Sequence, residues 1–223
     1  MKGFFDLFKV SMGMLTEGSV SRRIRCLVIT GMLIALSMAL EGISIDIPYA
    51  KVNFAYIAIA VVGMLFGPSV GFFAGCIGDI VGFMVHPTGA FLPVYTLFAG
   101  LQGIIYGVTL FKCRDGRQVL FDISLKKDTD GGQEPKKGTL SELALRIIIA
   151  RTLDVVLINL ICNTTANYHY KFITADTLSA AIKIRIIKNI AELPADFIIL
   201  FAVMPAVLAA YKTISGKYSS GKA

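Results

Sequence analysis

Residues 52–111 read VNFAYIAIAVVGMLFGPSVGFFAGCIGDIVGFMVHPTGAFLPVYTLFAGLQGIIYGVTLF, and this stretch decides the fold class. It holds three apolar runs, separated by Gly67-Pro68 and by the Pro- and Gly-containing segment 86–93, which are turn signals. Each run approaches the length of about 20 residues that a helix needs to cross a bilayer. Further apolar runs lie at 24–43, 140–165 and 182–211. We therefore predict an all-α integral membrane protein with six transmembrane helices.

The composition of the chain excludes the other broad classes of protein. Of its 223 residues, 55% are hydrophobic and only 17% are charged, and the mean hydropathy is +0.70. This balance rules out a soluble globular domain, a disordered chain, a collagen, a coiled coil and a disulfide-built mini-protein. The four cysteines and two histidines show no metal-ligand spacing, so neither a metal nor a cofactor is expected.

The distribution of basic residues sets the orientation in the membrane. Six helices place both termini on one side. Fifteen of the 22 Lys and Arg residues lie in segments on that side, against five in the opposite loops and at the start of the sixth helix. The positive-inside rule then predicts cytoplasmic termini, and it accounts for the net charge of +7 without nucleic-acid binding.

These boundaries predict a simple domain organisation. Residues 1–21 form an amphipathic segment at the membrane interface, and residues 22–211 form the six-helix domain. Residues 113–139 are a hydrophilic cytoplasmic insert, interpreted as a tether, and residues 212–223 are a cytoplasmic tail.

Asp79 and the loop after it are the strongest candidates for a binding site. An ionisable side chain inside hydrocarbon costs roughly 2.5–3.5 kcal/mol on insertion scales, so Asp79 must face a cavity or a charged partner. A structural pair with an arginine is the alternative. The following segment, 86–96, combines proline and glycine with aromatic and hydroxyl side chains, which suits a pocket rim or lid better than a plain turn.

A basic cluster opens the sixth apolar run, near the outer leaflet. Arg185, Lys188 and Asn189 share a helix face there, which favours an anionic ligand; snorkelling to lipid headgroups is the alternative. Lys188 is also spaced to pair with Glu192. On the fifth run we predict an internal Arg151–Asp154 ion pair, and helix-packing or ligand contacts for Asn159 and Asn163.

Small residues form a stripe on the first run, and no catalytic pattern accompanies it. Gly31, Ala35 and Ala39 stack on one helix face, where small side chains allow close helix approach in lipid. Internal packing is the alternative. The chain has no HExxH, CxxC pair or phosphate-binding loop, so we expect neither an enzyme nor an ATPase.

The order and spacing of several short motifs resemble the S component of energy-coupling factor (ECF) vitamin importers, and within it the folate-type branch. The resemblance covers residues 22–211. It is carried by Gly63-Met64-Leu65-Phe66-Gly67-Pro68, Gly75-xx-Gly78-Asp79, Pro87-Thr88-Gly89, Pro93, Thr96, Gly103-Ile104-Ile105-Tyr106-Gly107 and Arg185-xx-Lys188-Asn189.

The resemblance implies a function as well as a fold. It implies a vitamin pocket open to the outside and roofed by the first and third loops, in a cell-membrane protein. It also implies docking on a separate transmembrane T component with two ATPases, through the Gly31/Ala35/Ala39 stripe, followed by toppling of the subunit to release cargo inside. Gln102 departs from the pattern, because folate-type relatives are expected to carry a basic residue there.

Physical chemistry favours a pterin as the cargo. The 2-amino-4-oxo edge of a pterin offers two parallel donors to a carboxylate such as Asp79, aromatic side chains could stack on the ring, and cations could meet the glutamate tail. The predicted substrate-binding residues are Asp79, His86, Thr88, Phe91, Tyr95, Thr96, Tyr106, Asn163, Arg185, Lys188 and Asn189.

Three other functions stay open at this point. A queuosine precursor presents the same edge without the diacid tail. A stand-alone proton-coupled transporter could use Asp79, Glu192 or Asp196. A structural membrane subunit would need no pocket.

Overall fold

The computed structural model describes residues 2–16, 20–42, 45–47, 50–52, 54–85, 87, 90–114, 117–118, 140–170 and 178–220. The chain is predominantly helical. Its elements are α1 (Lys2–Thr16), α2 (Val20–Gly42), β1 (Ile45–Ile47), β2 (Ala50–Val52), α3 (Tyr56–Phe66), α4 (Pro68–Val85), α5 (Pro93–Leu110), β3 (Cys113–Arg114), β4 (Arg117–Gln118), α6 (Leu140–Leu153), a π-helical segment (Asp154–Asn163), α7 (Thr164–His169) and α8 (Leu178–Ser220).

Four of the described helices, α2, α4, α5 and α8, are long and apolar enough to cross a membrane. The fifth predicted run is one continuous helical stretch, because α6, the π segment and α7 follow one another without a break. The second predicted run contains only the 11-residue α3. The number of spans and their orientation remain predictions, and most of the predicted cytoplasmic insert lies outside the described residues.

Helix α3 is the centre of the bundle. Every one of its residues is buried, and it packs against α2, α4, α5 and α8. At 1.5 Å per residue its 11 residues extend about 16 Å, roughly half the thickness of the hydrocarbon core. Its uniformly apolar sequence is therefore explained by burial inside the protein rather than by contact with lipid.

The turn between α3 and α4 is closed by a side chain from α1. Gly67 has φ +86°, and a Cβ there would lie 2.9 Å from the Cβ of Ser11. The Ser11 hydroxyl donates to the carbonyl oxygen of Phe66 at 2.7 Å and accepts from the backbone N–H groups of Ser69 and Val70. Ser11 thus satisfies donors at the start of α4 that have no partner within their own helix. The amphipathic segment is therefore also a packing element of the bundle.

Glycines allow the backbones of α4 and α5 to touch. A Cβ at Gly71 would lie 2.5 Å from the carbonyl oxygen of Gly103, and one at Gly75 would collide with the carbonyl of Ala99. Small residues at helix interfaces are the usual means of close packing in lipid. This contact brings Asp79 on α4 beside Thr96 on α5, and so builds one wall of the site.

The small-residue stripe on α2 faces away from the other elements that the structure describes. Gly31, Ala35 and Ala39 are all exposed, and an added Cβ at Gly31 would meet no atom within 4 Å. Ile34 and Ser37 on the other side of the same helix are buried. The stripe is therefore not used for packing among the described residues, which removes the alternative reading of internal packing there.

Candidate functional site

A cavity of about 560 Å³ lies between the helices and is lined by residues of α2, α3, α4, α5, α6, the π segment, α7 and α8. Its volume lies within the range of about 300–1,000 Å³ that is typical of small-molecule sites. The lining includes carboxylates, cations and aromatic rings. This combination suits a ligand that has both a flat polar ring and negative charge.

Asp79 supplies the carboxylate of the α4 wall. Thr96 on α5 donates a hydrogen bond of 2.6 Å from its hydroxyl to Asp79 Oδ2. Asp79 lines the cavity, whereas Thr96 does not. One donor uses only part of the capacity of a carboxylate, which can accept about four hydrogen bonds. Thr96 therefore orients Asp79 and leaves it free to accept from a ligand.

Aromatic side chains surround this carboxylate. Phe83, Phe91, Tyr95 and Phe98 all line the cavity. The rings of Phe83 and Phe91 are 5.2 Å apart, and those of Tyr95 and Phe98 meet edge to face at 6.0 Å. Tyr95 is further held by a hydrogen bond from its hydroxyl to Asn167 Oδ1. Such rings offer apolar faces on which a planar ligand can stack.

Helix α8 contributes cations and an amide to the cavity. Arg185, Lys188 and Asn189, which share a helix face, all line it. Asn163 of the π segment lines it too and donates to Asn159 Oδ1 at 3.3 Å. Amide and cationic donors together are suited to carboxylate and carbonyl groups of a ligand.

A buried polar network forms the floor of the cavity. Arg151 contacts Asp154 Oδ2 at 2.6 Å and Asp196 Oδ2 at 2.7 Å, and its guanidinium lies 3.8 Å from the centre of the Tyr56 ring. The Tyr56 hydroxyl donates to Asp196 Oδ1 at 2.8 Å. All four side chains are buried. The predicted Arg151–Asp154 ion pair is thus confirmed, but it is one part of a larger cluster.

Two residues of α5 complete this network. Gln102 donates from Nε2 to both carboxylate oxygens of Asp154, at 2.9 and 3.0 Å, and the Tyr106 hydroxyl donates to Asp154 Oδ2 at 2.9 Å. The network therefore links α3, α5, α6, the π segment and α8. Because a π-helix changes the phase of the side chains, it lets Asp154 point into the bundle while Asn159 and Asn163 still line the cavity.

The structure brings most of the predicted site residues together. Asp79, Phe91, Tyr95, Asn163, Arg185, Lys188 and Asn189 all line the cavity. Thr96 acts through Asp79. Tyr106 is 0% exposed and does not line the cavity, since its hydroxyl belongs to the network below. His86 and Thr88 lie outside the described residues.

Several lining residues escaped the sequence-based prediction. Ser37 and Glu41 come from α2, Gln102 from α5 and Asn167 from α7. Gln102 stands where a basic residue is expected in folate-type relatives, and Asn167 belongs to no recognisable motif. Their spacing along the chain carries no signal, because the polar residues that line the cavity come from several different helices.

Comparison with known proteins bears directly on this geometry. The family model described as "ECF-type riboflavin transporter, S component" matches residues 21–128. A folate transporter FolT of Clostridium novyi (strain NT) is 26% identical over 165 residues, covering 74% of this chain and 78% of that protein. The chain is thus similar to the S components of ECF-type transporters.

Two further similarities agree with this assignment. A folate transporter FolT of Leuconostoc mesenteroides subsp. mesenteroides is 28% identical over 88 residues, which covers 40% of this chain and 48% of the relative. A solved structure described as FolT bound with folic acid superposes with a TM-score of 0.58 at 24% identity, covering 78% of this chain and 88% of that one. At that identity the superposition shows that the two chains share the fold.

Proposed function

We propose that this chain is the S component of an ATP-driven ECF importer, and that it binds folates from outside the cell and delivers them through that importer. The observation that carries the proposal is that one cavity is lined both by the Asp79 carboxylate and by the Arg185 and Lys188 cations. A pterin offers two adjacent donors to a carboxylate, and the glutamate tail of a folate offers two carboxylates to cations. The folate transporters among its relatives support the same choice.

A flavin is the second candidate, because the matching family model is described for a riboflavin transporter. The flavin edge presents one N–H between two carbonyl oxygens. Asp79 could accept from that N–H, but its second oxygen would face a carbonyl oxygen, which is repulsive. Riboflavin also has no carboxylate for Arg185 and Lys188. The Asp79 carboxylate and the Arg185 and Lys188 cations are therefore both better matched by folate than by riboflavin.

The test of the proposal is the ligand that the purified chain carries. Mass spectrometry of small molecules that copurify with the detergent-solubilised protein is expected to find a folate at near one-to-one stoichiometry. Titration with folic acid and riboflavin then ranks the two candidates directly. A 7-deazaguanine in place of a folate would keep the role of Asp79 and refute the diacid role of the cations. Tight riboflavin binding with no folate binding would refute the proposal.

Docking on a T component with two ATPases is the second half of the proposal. The exposed Gly31/Ala35/Ala39 stripe supports it, since a helix face with no bulky side chains lets another membrane helix approach closely. We place the termini in the cytoplasm and the cavity on the outer side. This arrangement follows from the lysine and arginine distribution.

Ala35→Leu is expected to abolish folate uptake by cells while leaving folic acid binding by the isolated chain within about twofold, because the side chain is exposed and added bulk disturbs only an external partner. Uptake of labelled folic acid and equilibrium binding measure the two effects. The matched control is Ala202→Leu, an exposed alanine on α8, for which both should be unchanged. A parallel loss of binding and uptake in Ala35→Leu would contradict the docking role.

The energy source separates an ECF importer from a proton-coupled carrier. In wild-type cells, uptake should stop on ATP depletion and continue with an uncoupler that spares ATP. Of the three carboxylates that a proton-coupled carrier could use, Asp196 is ion-paired with Arg151 and Glu192 lies beside Lys188. Uptake that stops with the uncoupler at constant ATP would favour the carrier.

A further inference from the structure

Two buried polar atoms on α8 have no hydrogen-bond partner in the described part of the chain, and both residues line the cavity. They are Asn189 Nδ2, a donor, and Glu192 Oε1, an acceptor. Asn189 is 9% exposed, and the Glu192 side chain is 19% exposed. Buried polar groups are nearly always hydrogen-bonded, because leaving one unsatisfied is costly. One donor and one acceptor are thus left for a ligand.

The nearby lysine does not satisfy Glu192. Lys188 Nζ lies 3.5 Å from Glu192 Oε1, which is within ion-pair range but longer than the 2.7–3.2 Å of an ordinary N–H···O hydrogen bond. This contact leaves Glu192 Oε1 without a short hydrogen bond and available to a ligand donor. Asn189 and Glu192 are three residues apart on one helix face, so their ends can reach two adjacent atoms of one ring.

We propose that Asn189 and Glu192 select tetrahydrofolates that carry a proton on N5. This inference rests on the proposed function, in which Asp79 accepts from the 2-amino group and N3–H of the pterin. Lys188, which pairs with Glu192, then lies beside the ring, and Arg185 is the cation that meets the glutamate tail. The neighbouring pterin edge consists of the carbonyl oxygen O4 and the ring nitrogen N5, side by side. In the tetrahydro form N5 bears a hydrogen, so this edge is an acceptor beside a donor, the complement of Asn189 Nδ2 and Glu192 Oε1.

The oxidised ring lacks this complementarity. In folic acid N5 has a lone pair and no proton, so it would face the Glu192 carboxylate as acceptor against acceptor. O4 is unchanged and can still receive the Asn189 amide. Only Glu192 therefore distinguishes the reduced ring from the oxidised ring, while Asn189 donates a hydrogen bond to O4 in both forms.

The first test compares three probes on the full-length wild-type chain in detergent, under anaerobic conditions. Tetrahydrofolic acid should bind about tenfold more tightly than folic acid, which is the scale set by one buried acceptor left without a donor. 5-Methyltetrahydrofolic acid has the reduced ring without the N5 proton, and it should lose the same advantage. This third probe separates the N5–H donor from the shape of the reduced ring.

Two variants test which residue causes the difference in affinity between tetrahydrofolic acid and folic acid. Glu192→Gln can offer either an oxygen or an N–H group to N5, so the affinity ratio between tetrahydrofolic and folic acid should fall to about one. Asn189→Leu removes the donor to O4, which both forms carry, so both affinities should fall by a similar factor and the ratio should persist. Glu142→Gln is the matched control for Glu192→Gln. Glu142 lies on α6 outside the cavity and pairs with Lys112 and Arg146. Its replacement should change the affinity for neither tetrahydrofolic acid nor folic acid.

The outcomes are separable from those of the proposed function. Equal wild-type affinities for tetrahydrofolic and folic acid would overturn this inference while leaving folate transport intact, as would a ratio that survives Glu192→Gln. A chain that binds no folate at all would overturn both. Size-exclusion chromatography of each variant shows that a lost affinity is not a lost fold.

Discussion

Replacing Asp79 by asparagine is expected to weaken folic acid binding by about 100-fold or more. The carboxylate can accept two parallel hydrogen bonds from a pterin, and hydrogen bonds to a charged group contribute roughly 1.5–3 kcal/mol each. Every 1.4 kcal/mol or so is a factor of ten in affinity. The amide of asparagine keeps the shape of the side chain, but it replaces one acceptor by a donor that faces the ligand's own donor. Equilibrium titration of the purified chain measures the loss.

Two further variants separate binding from structure. Thr96→Val removes the hydrogen bond that orients Asp79, so it should weaken binding by only about tenfold. Asp6→Asn changes an exposed carboxylate on α1 and should leave the affinity unaltered. If Asp79→Asn bound folic acid as well as the wild type and merely reduced the yield of folded protein, Asp79 would be a structural residue and the pterin assignment would lose its main support.

Replacing Arg151 by leucine is expected to have the largest effect on stability of any single change considered. Removing the guanidinium leaves Asp154 and Asp196 buried close to each other without their counter-ion. Breaking a buried pair by deleting one partner typically costs about 3–5 kcal/mol. The variant should therefore unfold at a markedly lower temperature in detergent, or fail to accumulate. Thermal unfolding followed by loss of monodisperse protein measures the change.

The control and the rescue make this prediction specific. Arg146→Leu removes a partly exposed arginine whose ion pair with Glu142 is worth about 1 kcal/mol or less, so its loss of stability should be small. Adding Asp154→Asn and Asp196→Asn to Arg151→Leu removes the two uncompensated charges and should recover much of the lost stability. A triple variant no more stable than Arg151→Leu would mean that the arginine acts by packing on Tyr56 rather than by charge.

The network that contains Arg151 also explains how a polar cavity can exist in an apolar bundle. Its two carboxylates hold one guanidinium, two hydroxyls and one amide from three other elements. Gln102 illustrates the consequence. Its amide nitrogen is committed to Asp154, so only its oxygen remains to accept from a ligand. A glutamine at this position is thus accounted for by the structure, although a basic residue was expected.

Parts of the candidate site were predictable where a charged residue lies in an otherwise apolar segment. Asp79 stands out because a carboxylate in an apolar run needs a partner, and Arg185 with Lys188 stands out because cations near the outer leaflet are not needed for topology. Both lie in the cavity. Tyr106 and Thr96 show the limit of such reasoning. Each belongs to a motif that carries the resemblance, yet neither lines the cavity. Thr96 donates to Asp79, and Tyr106 donates to Asp154 of the buried network.

The sequence by itself determined the class of this protein, since length and hydropathy of successive runs suffice to recognise helices that belong in a bilayer. It also determined which charges needed an explanation. Only the tertiary structure decided that α3 is a short buried core helix, that a π segment turns Asp154 inward, and that Asn167, Asn189 and Glu192 meet around one cavity. The physical reason is that hydropathy is a property of each segment, whereas hydrogen-bond partners come from different helices. Their pairing depends on the depth and rotation at which those helices pack.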